Sequence, residues 1–100
     1  MNKTIENKIP QIIAIFKKYS VKEAYLFGSV TKDTFHKNSD VDFLYSFEDN
    51  LDYETYSNNY FTIINELETI LKRKVDLVAQ KTIKNPYLIK SIDESKIRLI

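Results

Sequence analysis

The chain has no cysteine, one histidine, one glycine and two prolines in 100 residues. Each scarcity closes a route. Without cysteine there are no disulfides, no thiolate zinc sites and no cysteine nucleophile, and the composition is that expected of a cytoplasmic protein. With His36 alone, neither a histidine-ligated metal site nor a Ser-His-Asp triad can assemble from this chain. A metal would have to be held by oxygen ligands, which favours magnesium or manganese. The net charge is only +1, so no nucleic acid and no acidic membrane is required as partner. No run approaches the roughly 18 apolar residues of a membrane span. The N-terminal "MNKTIENKIPQIIAIF" lacks the pattern of a signal peptide. There is no internal repeat, low-complexity tract or evident linker, so residues 1–100 are expected to form one domain.

What is present is a core-forming composition, 43% hydrophobic and 29% charged. Ile5, Ile9, Ile12, Ile13 and Phe16 recur at helical spacing and predict an amphipathic helix ending near Tyr19. Pro10 either lies in its first turn, with the helix starting near Asn7, or kinks a longer one. "AYLF" (Ala24 to Phe27) and "DVDFLY" (Asp40 to Tyr45) read as strands, and "FEDNLD" reads as a loop. From Asp52 to about Lys72, Tyr53, Tyr56, Tyr60, Ile63, Ile64, Leu67, Ile70 and Leu71 form one stripe, with Phe61 off it. "KVDLVA" is a third strand, Pro86 opens a short helix, and "KIRLI" closes the chain as an edge strand. The order predicts an α/β (α+β) fold, a small mixed sheet covered by helices.

The only glycine, where an average sequence would have about seven, stands directly before Ser29. Gly28 ends a buried strand, permits positive φ and lets a ligand come close to the backbone. With Ser29 it forms a candidate phosphate cradle. Asp40 and Asp42 follow. Alternation along a strand sets both on one face, about 6.5–7 Å apart, and sends Val41 and Phe43 into the core. Two like charges there repel unless a divalent cation joins them. Asp76, between Val75 and Leu77, leaves the core side by the same rule. Metal-bridged phosphates are the requirement of phosphoryl and nucleotidyl transfer.

Singly, Gly-Ser after a strand is a turn, Asp-x-Asp is a solvated strand end, and His36 is a surface residue. In combination, "YLFGS", "NSDVDFL" and "RKVDLV" resemble the nucleotidyltransferase superfamily of the DNA polymerase β type. The short length resembles its minimal nucleotidyltransferase branch, the antitoxin partners of HEPN-domain toxins. The resemblance covers nearly the whole chain. It implies the nucleotidyltransferase fold, ATP as substrate, Mg2+ (or Mn2+) as cofactor, and a HEPN toxin as partner in a hetero-oligomer. It implies that Gly28, Ser29, Lys32 and Ser39 bind the nucleotide. It further implies that Asp40, Asp42 and Asp76 are the catalytic, metal-binding carboxylates, with Asp76 as base toward a tyrosine hydroxyl of the toxin, which receives AMP. The family commonly has a small residue, then Arg and Gly, after Gly-Ser; here stand Thr31, Lys32 and Asp33. Lys32 keeps the charge but not the bidentate geometry of arginine, and Asp33 adds a negative charge. Three other readings are a module that neutralises its partner by contact alone, a sugar transferase using Asp-x-Asp, and a drug-modifying enzyme. For the last two, the chain lacks room for the acceptor or a further helical domain.

Overall fold

Asn2 starts the first helix. Its side-chain oxygen accepts a hydrogen bond from the Ile5 N–H at 3.1 Å, satisfying a donor that the first turn leaves open. This helix, α1 (Lys3–Lys18), runs through Pro10, so the alternative of a start near Asn7 is set aside. Pro10 is exposed. The Glu6 carbonyl it deprives of an N–H partner lies on the water side, which makes the interruption tolerable. The computed structural model describes residues 1–32 and 35–100. Asp33 lies outside the described residues.

After α1 come β1 (Val21–Phe27), a 3-10 turn (Gly28–Thr31), β2 (Val41–Phe47), α2 (Tyr53–Leu71), β3 (Val75–Ala79), a second 3-10 turn (Gln80–Thr82), α3 (Pro86–Ser95) and β4 (Ile97–Arg98). The element order is the expected one. The strands lie in the order β3-β2-β1-β4. β1 is antiparallel to β2 and to β4, while β2 and β3 are parallel. A parallel pair needs a long crossover, and α2 supplies it. The sheet is therefore mixed, as expected, with β4 on its edge.

The two faces are unequal. Ala24, Leu26, Val41, Phe43, Tyr45, Val75 and Leu77 join Ile5, Ile12, Phe16, Ile63 and Leu67 of α1 and α2 in the main core. On the other face, Tyr25 and Leu44 pack with Ile92 of α3. Asp42 and Asp76 alternate with the first set and so belong to this second, thinner face.

Several boundaries differ from the sequence reading. β1 starts at Val21, three residues early, through an irregularity between Val21 and Glu23. Phe47 belongs to β2, where its ring meets Tyr56 edge to face at 4.6 Å. Tyr53 leaves the stripe and is 88% exposed, because the first turn of α2 precedes the part of the helix that lies on the sheet. Phe61 is exposed, as its position off the stripe indicates. The buried Tyr45 and the half-buried Tyr56 and Tyr60 satisfy their hydroxyls: those of Tyr45 and Tyr56 lie 2.7 Å apart, and that of Tyr60 donates to the Leu77 carbonyl at 3.2 Å.

Candidate active site

The site grows out of one ladder position. In the parallel pair Asp42 stands opposite Asp76. In the antiparallel pair it stands opposite Phe27, the residue before Gly28. Three strands therefore bring the glycine turn and two carboxylates together. The core-facing neighbours Val41, Phe43, Val75 and Leu77 are buried, which fixes the register, since a one-residue slip would turn every side chain over.

Gly28 has φ +77, the left-handed region that costs other residues roughly 1–2 kcal/mol. Its second constraint is steric. A Cβ there would stand 2.5 Å from Oδ2 of Asp42. The sequence reading gave the close approach to a ligand; the structure shows the first group approaching is the Asp42 carboxylate itself. Beyond Gly28 the turn is tied by the Thr31 hydroxyl donating to the Gly28 carbonyl at 2.8 Å and the Lys32 N–H to the Ser29 carbonyl at 2.9 Å. Ser29 is half-buried and Lys32 is exposed.

Asp40 stands just outside the ladder, since β2 starts at Val41 rather than at Asp40 as expected. Lys74, whose carbonyl accepts the Val41 N–H at 3.0 Å, marks the end of regular pairing. The preceding turn closes on itself. Ser39 N–H donates to the His36 carbonyl at 2.9 Å, and His36 N–H donates to the Ser39 hydroxyl at 3.1 Å. Ser39 thus shapes the turn through an accepting hydroxyl, which retains its own proton for donation.

Burial, then the charge of Asp76, then that of Asp40 push the pKa of Asp42 up to about 6. Tyr60 is pushed above its ordinary value by burial and then by Asp76. Among the described residues no cation answers these carboxylates: the salt bridges there are Lys22 with Asp49 and Lys96 with Asp93. Nor, among the described residues, are three acids or histidines gathered tightly enough to hold a metal alone. Magnesium does not require that. It keeps several waters and takes one or two carboxylates together with substrate phosphate oxygens. A register pair of repelling carboxylates, one of them half-buried, fits such a cation.

Sequence reasoning missed two residues that build this site. Arg73 reaches back to the turn before Asp40, and a Glu68 carboxylate oxygen accepts the Val75 N–H at 2.9 Å at the start of β3. Arg73 directly precedes the conspicuous "KVDLV" and Glu68 lies in the last turn of α2, but their partners are backbone groups that no local pattern names.

The model of the nucleotidyltransferase domain family matches residues 9–99. A Methanocaldococcus jannaschii protein named "Putative protein adenylyltransferase" is 44% identical over 80 residues, which is 80% of this chain and 78% of the relative. A chain in a crystal structure of a toxin-antitoxin with AMP-PNP superposes with TM-score 0.70 at 26% identity, covering 92% of this chain and 72% of that one. A chain in the structure of a tri-AMPylated Shewanella oneidensis HEPN toxin in complex with MNT antitoxin superposes with TM-score 0.65, covering 95% of this chain and 71% of that one. Its 21% identity makes that a likeness of fold. The chain belongs to the nucleotidyltransferase domain family, enzymes that move a nucleotidyl group onto an acceptor. Among the described residues no helix is long and apolar enough to cross a membrane.

Proposed function

We propose that residues 1–100 form a single minimal domain that transfers AMP from ATP to a tyrosine of a HEPN-type toxin, as a cytoplasmic antitoxin. The observation that carries this reading is the ladder position where Asp42 meets Asp76 and abuts Gly28. Support for the acceptor comes from the relative named for protein adenylylation and from the toxin-antitoxin neighbour with AMP-PNP.

Asp40 and Asp42, with Asp76, would hold Mg2+ or Mn2+. A cation held there would offset phosphate charge and make the α-phosphorus more electrophilic. The chain's own residues do the rest. The Gly28–Ser29 turn would seat the phosphates, and Lys32 and Ser39 would add contacts to the nucleotide. Asp76 is exposed at the open side of the pair, where an acceptor can reach it. A tyrosine hydroxyl, with an unperturbed pKa of about 10, arrives protonated. Asp76 takes that proton as the phenolic oxygen bonds to the α-phosphorus. The bond to the β-phosphate oxygen breaks, and pyrophosphate leaves.

The test is incubation with labelled ATP, magnesium and the candidate toxin, followed by intact-protein mass. Label on a toxin tyrosine, abolished by EDTA and by Asp40→Asn/Asp42→Asn, is the expected result. A toxin neutralised without acquiring label would establish inhibition by contact alone and overturn the reading.

A further inference from the structure

Asp40 is the weakly held member of the carboxylate set. It is exposed, outside the ladder, and follows a turn whose internal bonds do not tie it to the sheet. The chain on both sides of it is nevertheless fastened to one place, the link between α2 and β3. On the C-terminal side Val41 N–H donates to the Lys74 carbonyl at 3.0 Å. On the N-terminal side Arg73 donates from Nη1 to the His36 carbonyl at 2.8 Å and to the Ser39 carbonyl at 3.2 Å. Its guanidinium carbon lies 4.4 Å from the centre of the Phe35 ring. Arg73 is half-buried and stands three residues before Asp76.

We infer that Arg73 is a positioning residue that holds Asp40 in register with Asp42 and Asp76. The inference rests on the metal-nucleotide role proposed above. The guanidinium reaches both carbonyls from one nitrogen, Nη1, while its carbon stays over the Phe35 ring; lysine supplies charge and donor hydrogens without the planar face. Among the described residues Arg73 forms no salt bridge, and what it bonds are main-chain carbonyls. A loop that must present a carboxylate to a cation loses affinity when its orientation is left free, and residues that orient ligands this way typically matter 10–100-fold in metal affinity.

The experiment is a double-mutant cycle on affinity for Mn2+-ATP by calorimetry, with ATP in EDTA as the metal-free arm. Asp40→Asn is expected to weaken Mn2+-ATP binding, which tests the underlying metal role. Arg73→Lys is expected to weaken it about 10-fold, without changing binding in EDTA. In the Asp40→Asn background Arg73→Lys is expected to add nothing. Phe35→Leu, which removes the aromatic surface under the guanidinium and keeps an apolar side chain against the main core, is expected to act in the same direction by less, and keeps the test open should Arg73→Lys fold poorly. If Asp40→Asn leaves Mn2+-ATP affinity unchanged, the metal role of Asp40 falls, and the positioning role with it. If Asp40→Asn weakens binding but the Arg73→Lys effect persists beside it, or persists in EDTA, Arg73 touches the nucleotide itself and the positioning role is overturned.

Discussion

β2 and β3 carry two surfaces separated by one backbone. Val41, Phe43, Val75 and Leu77 on one side are buried against α1 and α2, and Phe43 meets Phe16 edge to face with ring centres 5.4 Å apart. Asp42 and Asp76 on the other side stand at the same register, and the charge of Asp76 adds to the cost of ionising Asp42. The first surface is over-determined, since many contacts agree on one register. The second consists of groups that the fold holds in place without satisfying. The apolar side thus supplies the rigidity that keeps two repelling carboxylates together, and the charged side supplies the chemistry.

The largest expected effect breaks the supporting side. Phe43→Ala removes a ring with no exposed surface, and such truncations cost about 3–5 kcal/mol. Against a total of about 5–15 kcal/mol for a domain, the urea midpoint should fall steeply and the site should be lost with the fold. A loss below about 1.5 kcal/mol would mean that the core side does not carry the register.

On the charged side the balance should invert. Asp76→Asn leaves the core untouched, and its stability should stay within about 0.5 kcal/mol of the parent. AMP transfer to the toxin should fall at least about 10²-fold, the usual size of a general-base contribution, while Mg2+-ATP affinity changes only a few-fold. Transfer at the parental rate would remove Asp76 from the chemistry. Complete loss of ATP binding would make it a ground-state ligand in place of a base.

Gly28 belongs to both sides of the comparison. Gly28→Val places a β-branched residue at φ +77 and a Cβ against the Asp42 carboxylate. The backbone strain should cost about 1–3 kcal/mol, and displacement of Asp42 should abolish transfer in whatever protein remains folded. A folded, fully active variant would show that the turn does not form part of the site.

What could be read from the sequence follows the same division. The alternation in "DVDFLY" and "KVDLVA" states which side of each strand is core, because burial imposes a period of two. Gly28 announced a positive φ by being the only glycine in the chain. The register that sets Asp42 beside Asp76 was not readable from either strand alone, since pairing between residues 34 apart in sequence leaves no local signature; the family resemblance brought the two acids together. Arg73 was invisible because its partners, 34 and 37 residues away, are carbonyls. Pro10 misled in part, since an exposed helix flank tolerates the missing bond. Tyr53 misled because a periodic stripe continues past the point where the sheet beneath it ends.

The smallest effect is the most discriminating, because its sign is opposite to the usual one. The folded pKa of Asp42 is about 6 against 3.8 for the free group. Between those values the folded chain keeps a proton that the unfolded chain has released. The stability associated with the protonated carboxyl is therefore complete below about pH 4 and is lost as pH rises through about 6. At neutral pH the folded protein carries Asp42 ionised at a cost. The group is only half-buried, so solvent screening reduces that cost to about 1 kcal/mol. Asp42→Asn has no proton to lose. In EDTA it should be more stable than the parent by about 1 kcal/mol at pH 7–8 and no more stable at pH 3.5. Saturating Mg2+-ATP should reverse the order, since a ligand that binds only the intact site stabilises only the parent. Urea unfolding at the two pH values, with and without Mg2+-ATP, measures both. If Asp42→Asn is the less stable protein at pH 7 in EDTA, then Asp42 contributes to folding as well as to chemistry, and the contrast between the two sides of β2 and β3 fails at the residue where it should be sharpest.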